Sequence, residues 1–142
     1  MIQKALVYAT NSRGLLVFEE PDFPEVPLQI PGGTVEEGEP VADAARREFE
    51  EETGMIGRTG FRLLGDSYRP FERDRKLHTL HRTYFHLSLE DDVPVTWDHF
   101  EDTPFGGGPP VLFRFFWIGV EAARARLDLG SGEMLGRLSD VR

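Results

Sequence analysis

Between Arg46 and Gly54 the chain reads RREFEEETG, with four glutamates beside two arginines and just ahead of a glycine. A helix turns about 100° per residue, so side chains three and four apart share a face. Glu48, Glu51 and Glu52 have that spacing, Phe49 lies off their arc, and Glu50 falls on the far side. Like charges at i,i+4 cost about 0.2–0.5 kcal/mol per pair in an isolated helix. At the C-terminal end, where the helix dipole is negative, each adds about 0.3–1 kcal/mol. A bound divalent cation removes both penalties, and oxygen donors suit a hard ion such as magnesium, often with phosphate oxygens completing its shell. Upstream, Gly32 and Gly33 have no Cβ, so a backbone carbonyl there can approach such an ion closely.

The elements that must position these groups are legible in part. Residues Pro40 to Thr53 carry the clearest helical signal. Pro40 suits the first turn, Gly54 suits the left-handed position after the end, and Ala42, Ala45 and Phe49 form an apolar stripe to face a sheet. KALVYAT, the turn NSRG and LLVFE predict a β-hairpin, followed by the Pro-rich loop EEPDFPEVP and a short strand LQIPGG entering a glycine turn. FRLLGDSY predicts a strand, RPFERDRK a charged loop and LHTLHRTYFHLSLE a strand. DDVPVTWDHFEDTPFGGGPP predicts a long irregular segment, VLFRFFWIGV a strand and EAARARLDL a helix. The pattern implies an α/β fold, a mixed sheet flanked by helices, in a single domain over residues 1–142.

Composition narrows the function. The 142 residues include 25 acidic and 16 basic side chains, a net charge of −9, which disfavours a broad nucleic-acid-binding surface. Without cysteine there is no disulfide framework, zinc thiolate site or thiol nucleophile. The start, MIQKALVYAT, is too polar for a signal peptide, and no apolar run approaches the ~20 residues of a membrane span. A cytoplasmic location is the expectation.

From Gly33 the chain reads GTVEEGEPVADAARREFEEETGM, preceded by Pro31 and Gly32. This resembles the signature of the Nudix family at every fixed place: Gly33, Glu39, Arg47, Glu48, Phe49, Glu51, Glu52, Gly54 and Met55. Phe49 is bulkier than the aliphatic residue usual there. The resemblance implies an α/β/α sandwich and magnesium- or manganese-dependent hydrolysis of the diphosphate bond in a nucleoside diphosphate linked to another moiety. It implies Glu51 and Glu52 as main metal ligands, Glu48 as a further ligand or the general base, and the Gly32 carbonyl as a completing ligand. Arg47 would orient a glutamate, and Glu39 would be a secondary ligand or the ion-pair partner of Arg47. The implied partner is a small nucleotide-type molecule, with a homodimer common in the family. The alternative is a Nudix-fold module that binds a nucleotide without turnover, for which a degraded signature would be typical.

The groups that choose the substrate are less legible. A late-loop ligand or base could come from Glu90, Asp91, Asp92, Glu101 or Asp102. Trp97 and Phe100, in the irregular segment, are expected to wall the pocket. Phe105, Phe113, Phe115, Phe116 and Trp117 are aromatics that could stack on a base, although a strand such as VLFRFFWIGV more often supplies core. Of the basic residues, Arg82 is the substrate-binding candidate, with Arg69, Arg73 and Arg75 nearby in the chain. His81 and His86 have opposite parity and so do not form a metal pair by themselves.

Overall fold

A computed structural model describes residues 1–102 and 107–141. Strand β1 (Ile2–Asn11) alternates faces, with Ala5, Val7 and Ala9 on one side and Leu6 and Tyr8 on the other. It turns through Ser12 and Arg13 into β2 (Gly14–Glu19), as the sequence predicts. The remaining elements are β3 (Gly32–Thr34), α1 (Val41–Thr53), β4 (Arg62–Arg73), β5 (Lys76–Ser88), β6 (Trp97–Glu101), β7 (Val111–Ile118) and α2 (Val120–Arg126). Two short 3-10 segments, Asp128–Gly130 and Leu135–Val141, close the chain. The sheet order is β4-β5-β1-β2-β7-β6, with β3 also pairing β1. Among the described strands only β1 and β5 pair in parallel, so the sheet is mixed.

Each face of the sheet has its own core. On one, Val7, Leu16, Phe18, Phe85 and Phe115 receive Ala44, Ala45 and Phe49 of α1. On the other, Tyr8, Leu15, Val17 and Tyr84 are covered by Ala123 of α2 and by Leu135 and Leu138. Full burial of each large apolar side chain contributes roughly 1.5–3 kcal/mol. The layers are helix, sheet, helix, the α/β/α sandwich. Among the described residues no helix is long and apolar enough to cross a membrane.

Three expectations need correction. RPFERDRK is not a loop, since β4 continues to Arg73 and pairs with β5 to the end, Arg73 opposite Lys76. The reversal uses Asp74 and Arg75 at φ 54 and 62, the left-handed pair that matches strand twist in a two-residue hairpin. Both faces of this tip see water, so no apolar alternation marks it. In the segment predicted to be irregular, Trp97–Glu101 forms β6 along β7. The glycines after LQIP do not turn; Gly32 and Gly33 lie in β3 opposite Leu6 and Ala5.

Strands β1 and β2 pair only at Thr10–Asn11 with Gly14–Leu15. Beyond that they diverge, and the chain from Gln29 to Thr34 enters between them. Gln29 bridges Phe18 of β2, while β3 pairs with β1.

Candidate active site

Helix α1 is preceded by Pro40 with extended backbone and ends at Gly54, which takes the left-handed conformation at φ 79 and donates its N–H to the Glu50 carbonyl. Its buried side chains are Ala44, Ala45, Phe49, Glu52 and Thr53, whereas Ala42 is exposed and Ala44 takes the core place expected for it. The carboxylates do not form one face apart from the core. Glu52 is only 7% exposed and lies beside Phe49, Glu48 is half-buried, and Glu51 stands on the solvent side. Glu50 receives the Gly57 N–H at 2.8 Å, and Arg46 pairs with Asp43 at the surface.

Alternation along β3 explains how the buried carboxylates are held. The flanking Pro31 carbonyl and Val35 N–H bond to β1, so Gly32 and Thr34 turn their backbone groups the other way. The Gly32 N–H donates to Glu52 Oε1 at 2.7 Å, and the Thr34 carbonyl accepts from Arg47 at 3.1 Å. The same alternation points the Gly32 carbonyl to this side. Gly33 lies against the Glu48 carboxylate, where a Cβ would overlap it.

Arg47 ties the acids together. Its guanidinium makes a fork to Glu39 at 2.8 and 2.9 Å and reaches Glu48 at 2.9 Å. Glu51 is farther, at 3.4 Å. Glu39 thus takes the ion-pair role and also receives the Glu36 N–H at 3.0 Å. Arg47 and that N–H hold its carboxyl at about 2, while Glu39 in turn raises the Arg47 pKa.

The third member of the buried cluster comes from β6. Trp97, His99 and Glu101 share one parity and point toward α1, while Asp98 and Phe100 point out. The Trp97 indole N–H donates to the Thr53 carbonyl at 3.0 Å, and His99 Nε2 lies 3.0 Å from the Glu51 carbonyl. Two residues on, Glu101 is 9% exposed, and carboxylate oxygens of Glu48, Glu52 and Glu101 lie within 4.8 Å of one another. Burial raises the pKa of Glu48 and raises that of Glu52 further. Arg47 and the Gly32 N–H respectively act against that, and the neighbouring carboxylates add to it. Three carboxylates this close, two of them buried and one half-buried, need protons or a cation, and their oxygen-only donor set fits a hard divalent ion.

Of the late acids only Glu101 joins this cluster; the signal available in sequence was the alternation of Trp97-Asp98-His99-Phe100-Glu101. A cleft of about 990 Å³ opens beside it. Glu48, Glu51, Glu52, Gly32 and Arg47 line it with Lys4, Gln29, Phe23, Val26, Pro109 and Phe113. The expected wall residues lie elsewhere. Trp97 is stacked on Phe115 at 5.0 Å, and Phe100, at 54% exposure, is on the outer face of β6. Arg82 is buried, 3.5 Å from Glu133 on the α2 side, because its parity on β5 matches that of Tyr84. Arg69 also meets Glu133, and Arg73 lies over the Phe71 ring at the hairpin tip. Phe105 lies outside the described residues.

The fold and the acid cluster together define an α/β/α sandwich with three carboxylates gathered beside one cleft. The NUDIX domain model matches residues 3–137, and the chain belongs to the Nudix family. Among solved structures it is similar to the E. coli ORF135 protein, with 19% identity, coverage of 100% of this chain and 91% of that one, and a TM-score of 0.65. It is also similar to the mutator MutT protein of Bacillus halodurans, with 17% identity, 96% and 80% coverage, and a TM-score of 0.66. A third is the C. elegans Ap4A hydrolase, at 19% identity, 99% and 98% coverage, and a TM-score of 0.60. At these identities the likeness is one of fold. No curated protein matches the chain.

Proposed function

We propose that this Nudix pyrophosphohydrolase cleaves the phosphoanhydride bond of a nucleoside diphosphate linked to another moiety, and that it requires magnesium or manganese. The observation that carries the reading is the convergence of Glu48, Glu52 and Glu101 at one spot in the wall of the cleft. These three would hold the ion, with the Gly32 carbonyl on the same side and Glu51 at the rim as a further oxygen donor. The bound ion would neutralise the diphosphate and acidify a water molecule.

The protein groups do the rest. Arg47 and Gly33 fix the Glu48 carboxylate in one orientation, which suits it to take the proton of the attacking water. The Gly32 N–H fixes Glu52 as a ligand. Glu39 holds Arg47 and stays away from the reacting atoms. Phe23, Val26 and Phe113 give the cleft apolar surface for the group attached to the phosphates.

A small nucleotide-type partner and a cytoplasmic setting belong to the same proposal. Fold relatives named as a MutT protein and an Ap4A hydrolase support a substrate from among nucleotides. The test is a magnesium-supplemented screen of nucleotide diphosphate derivatives with product identification, run beside Glu52→Gln. Metal-dependent release of phosphate, pyrophosphate or a nucleoside monophosphate, lost in Glu52→Gln, is expected. Full turnover in that variant would sink the assignment.

A further inference from the structure

Leu28 and Ile30 are buried on the α2 side of the sheet, so Gln29 between them turns its side chain to the other side, where it lines the cleft. Two backbone hydrogen bonds with Phe18, at 3.0 and 2.9 Å, hold it there. Glu20 has the parity of Phe18, whose ring faces α1, and it lines the same cleft. Gln29 Nε2 donates to Glu20 Oε2 at 2.6 Å, which holds the half-buried carboxylate in one orientation. Among the described residues no hydrogen bond reaches Glu20 Oε1, and Oε2 has a second lone pair. Glu20 is therefore a fixed carboxylate able to accept two parallel N–H donors from a molecule in the cleft.

We infer that Glu20, positioned by Gln29, is the specificity-determining residue of the cleft and selects a nucleotide whose base is guanine. The inference rests on the nucleotide-hydrolase reading and names its substrate class. Of the common nucleobases guanine alone has two adjacent N–H donors on its pairing edge, the ring N1–H and the 2-amino group. Adenine and cytosine set an amino donor beside a ring-nitrogen acceptor, and uracil flanks its one N–H with carbonyls. Each of these turns an acceptor toward the carboxylate, and a site built to receive N–H donors rejects the base that lacks them. Phe23 and Val26 give the base an apolar flank. Gln29 stands three residues before Gly32, at most about 10 Å along extended chain, so one nucleotide can reach both the pair and the acid cluster.

The test titrates guanosine, inosine and adenosine monophosphates, with magnesium, calorimetrically into the whole chain and into Glu20→Gln and Gln29→Met. Monophosphates have no phosphoanhydride bond to cleave, so binding is read without turnover, and the inosine form differs from the guanosine form only in lacking the 2-amino group. A manganese titration of each variant reports on the acid cluster and on folding. In the wild-type chain affinity is expected to fall about tenfold from guanosine to inosine monophosphate, and further to adenosine monophosphate. Glu20→Gln should abolish that order, Gln29→Met should weaken it, and manganese affinity should stay unchanged in both. Equal affinity for the guanosine and adenosine forms would overturn the inference and point to the ribose they share. A guanosine preference that survives in Glu20→Gln, or a wild-type chain that binds none of the three, would overturn it as well. Turnover is decided separately by the screen of nucleotide derivatives, so loss of the base preference alone leaves the hydrolase reading standing.

Discussion

The Trp97 indole N–H donates to the Thr53 carbonyl at 3.0 Å, and this bond sets the register of β6 on the end of α1. His99 repeats the contact one pleat later at the Glu51 carbonyl, and Glu101 arrives one pleat after that, at Glu48 and Glu52. Donors at the last carbonyls of a helix oppose its negative end, which otherwise adds to the repulsion among the acids. Trp97→Phe should therefore cost about 1 kcal/mol of stability through the lost bond and weaken manganese binding through Glu101. Phe100→Ala, on the outer face, should leave manganese binding unchanged. Thermal unfolding and a manganese titration of both variants check this, and Glu101→Gln should reproduce the metal defect with little change in melting temperature.

The two glycines of β3 should fail in different ways. A Cβ on Gly32 would overlap the Ala5 carbonyl and crowd Leu6, at a φ of 157 that few side chains tolerate. Those are backbone obstacles, so Gly32→Ala should lower the melting temperature markedly. At Gly33 the obstacle is the Glu48 carboxylate, which can swing away. Gly33→Ala should keep most of its stability and lose most of its turnover. Equal melting losses in both would contradict the placement of Glu48.

Arg47→Lys keeps a positive charge but has no fork to span Glu39 and Glu48. Turnover should fall by about 10- to 100-fold, the range typical when a group that orients ligands is lost. Glu39→Gln should lower it less, since Arg47 retains its bonds to Glu48 and Thr34. Steady-state rates at saturating magnesium test the order of the two variants.

Burial lifts the pKa values of Glu48 and Glu52 above the ordinary 4.5. Between 4.5 and those raised values the metal-free folded chain holds more protons than the unfolded one, so this pair makes stability fall as pH rises. Glu39 acts oppositely: its carboxyl titrates at about 2, so its contribution is present above 4.5 and is lost as pH falls toward 2. A cation requires the deprotonated acids, and its binding adds stability to the folded state. Magnesium should thus raise the melting temperature more at about pH 7.5 than at about pH 5. Chelation should restore the decline toward high pH. Scanning with and without EDTA decides it.

The acid box was legible because its chemistry is local: one helix, with a glycine before it and another after it, fixes where Glu48, Glu52 and Arg47 stand. The fold class followed from the alternation of β1, β2, β5 and β7. Glu101 was one of five equal choices because its place depends on β6 pairing with β7 and resting on α1, contacts distant in sequence. The same pairing turned Phe100 outward, and the parity of β5 took Arg82 to the α2 side. Lys4 gave no signal, since a lysine near the start of a strand reads as solvated until β3 is known to lie beside it. Glu52 was expected on a face apart from the core, because helical phase alone does not show how deep the sheet closes around Phe49.

The gap between β1 and β2 has an evolutionary consequence. The loop that contributes Asp22, Phe23 and Val26 to the cleft is pinned at both ends, where Phe18 meets Gln29. The cluster of carboxylates belongs to α1 and β6, on other parts of the chain. On the proposed function, exchange of this loop would change part of the surface offered to the substrate and leave the carboxylates of α1 and β6 in place.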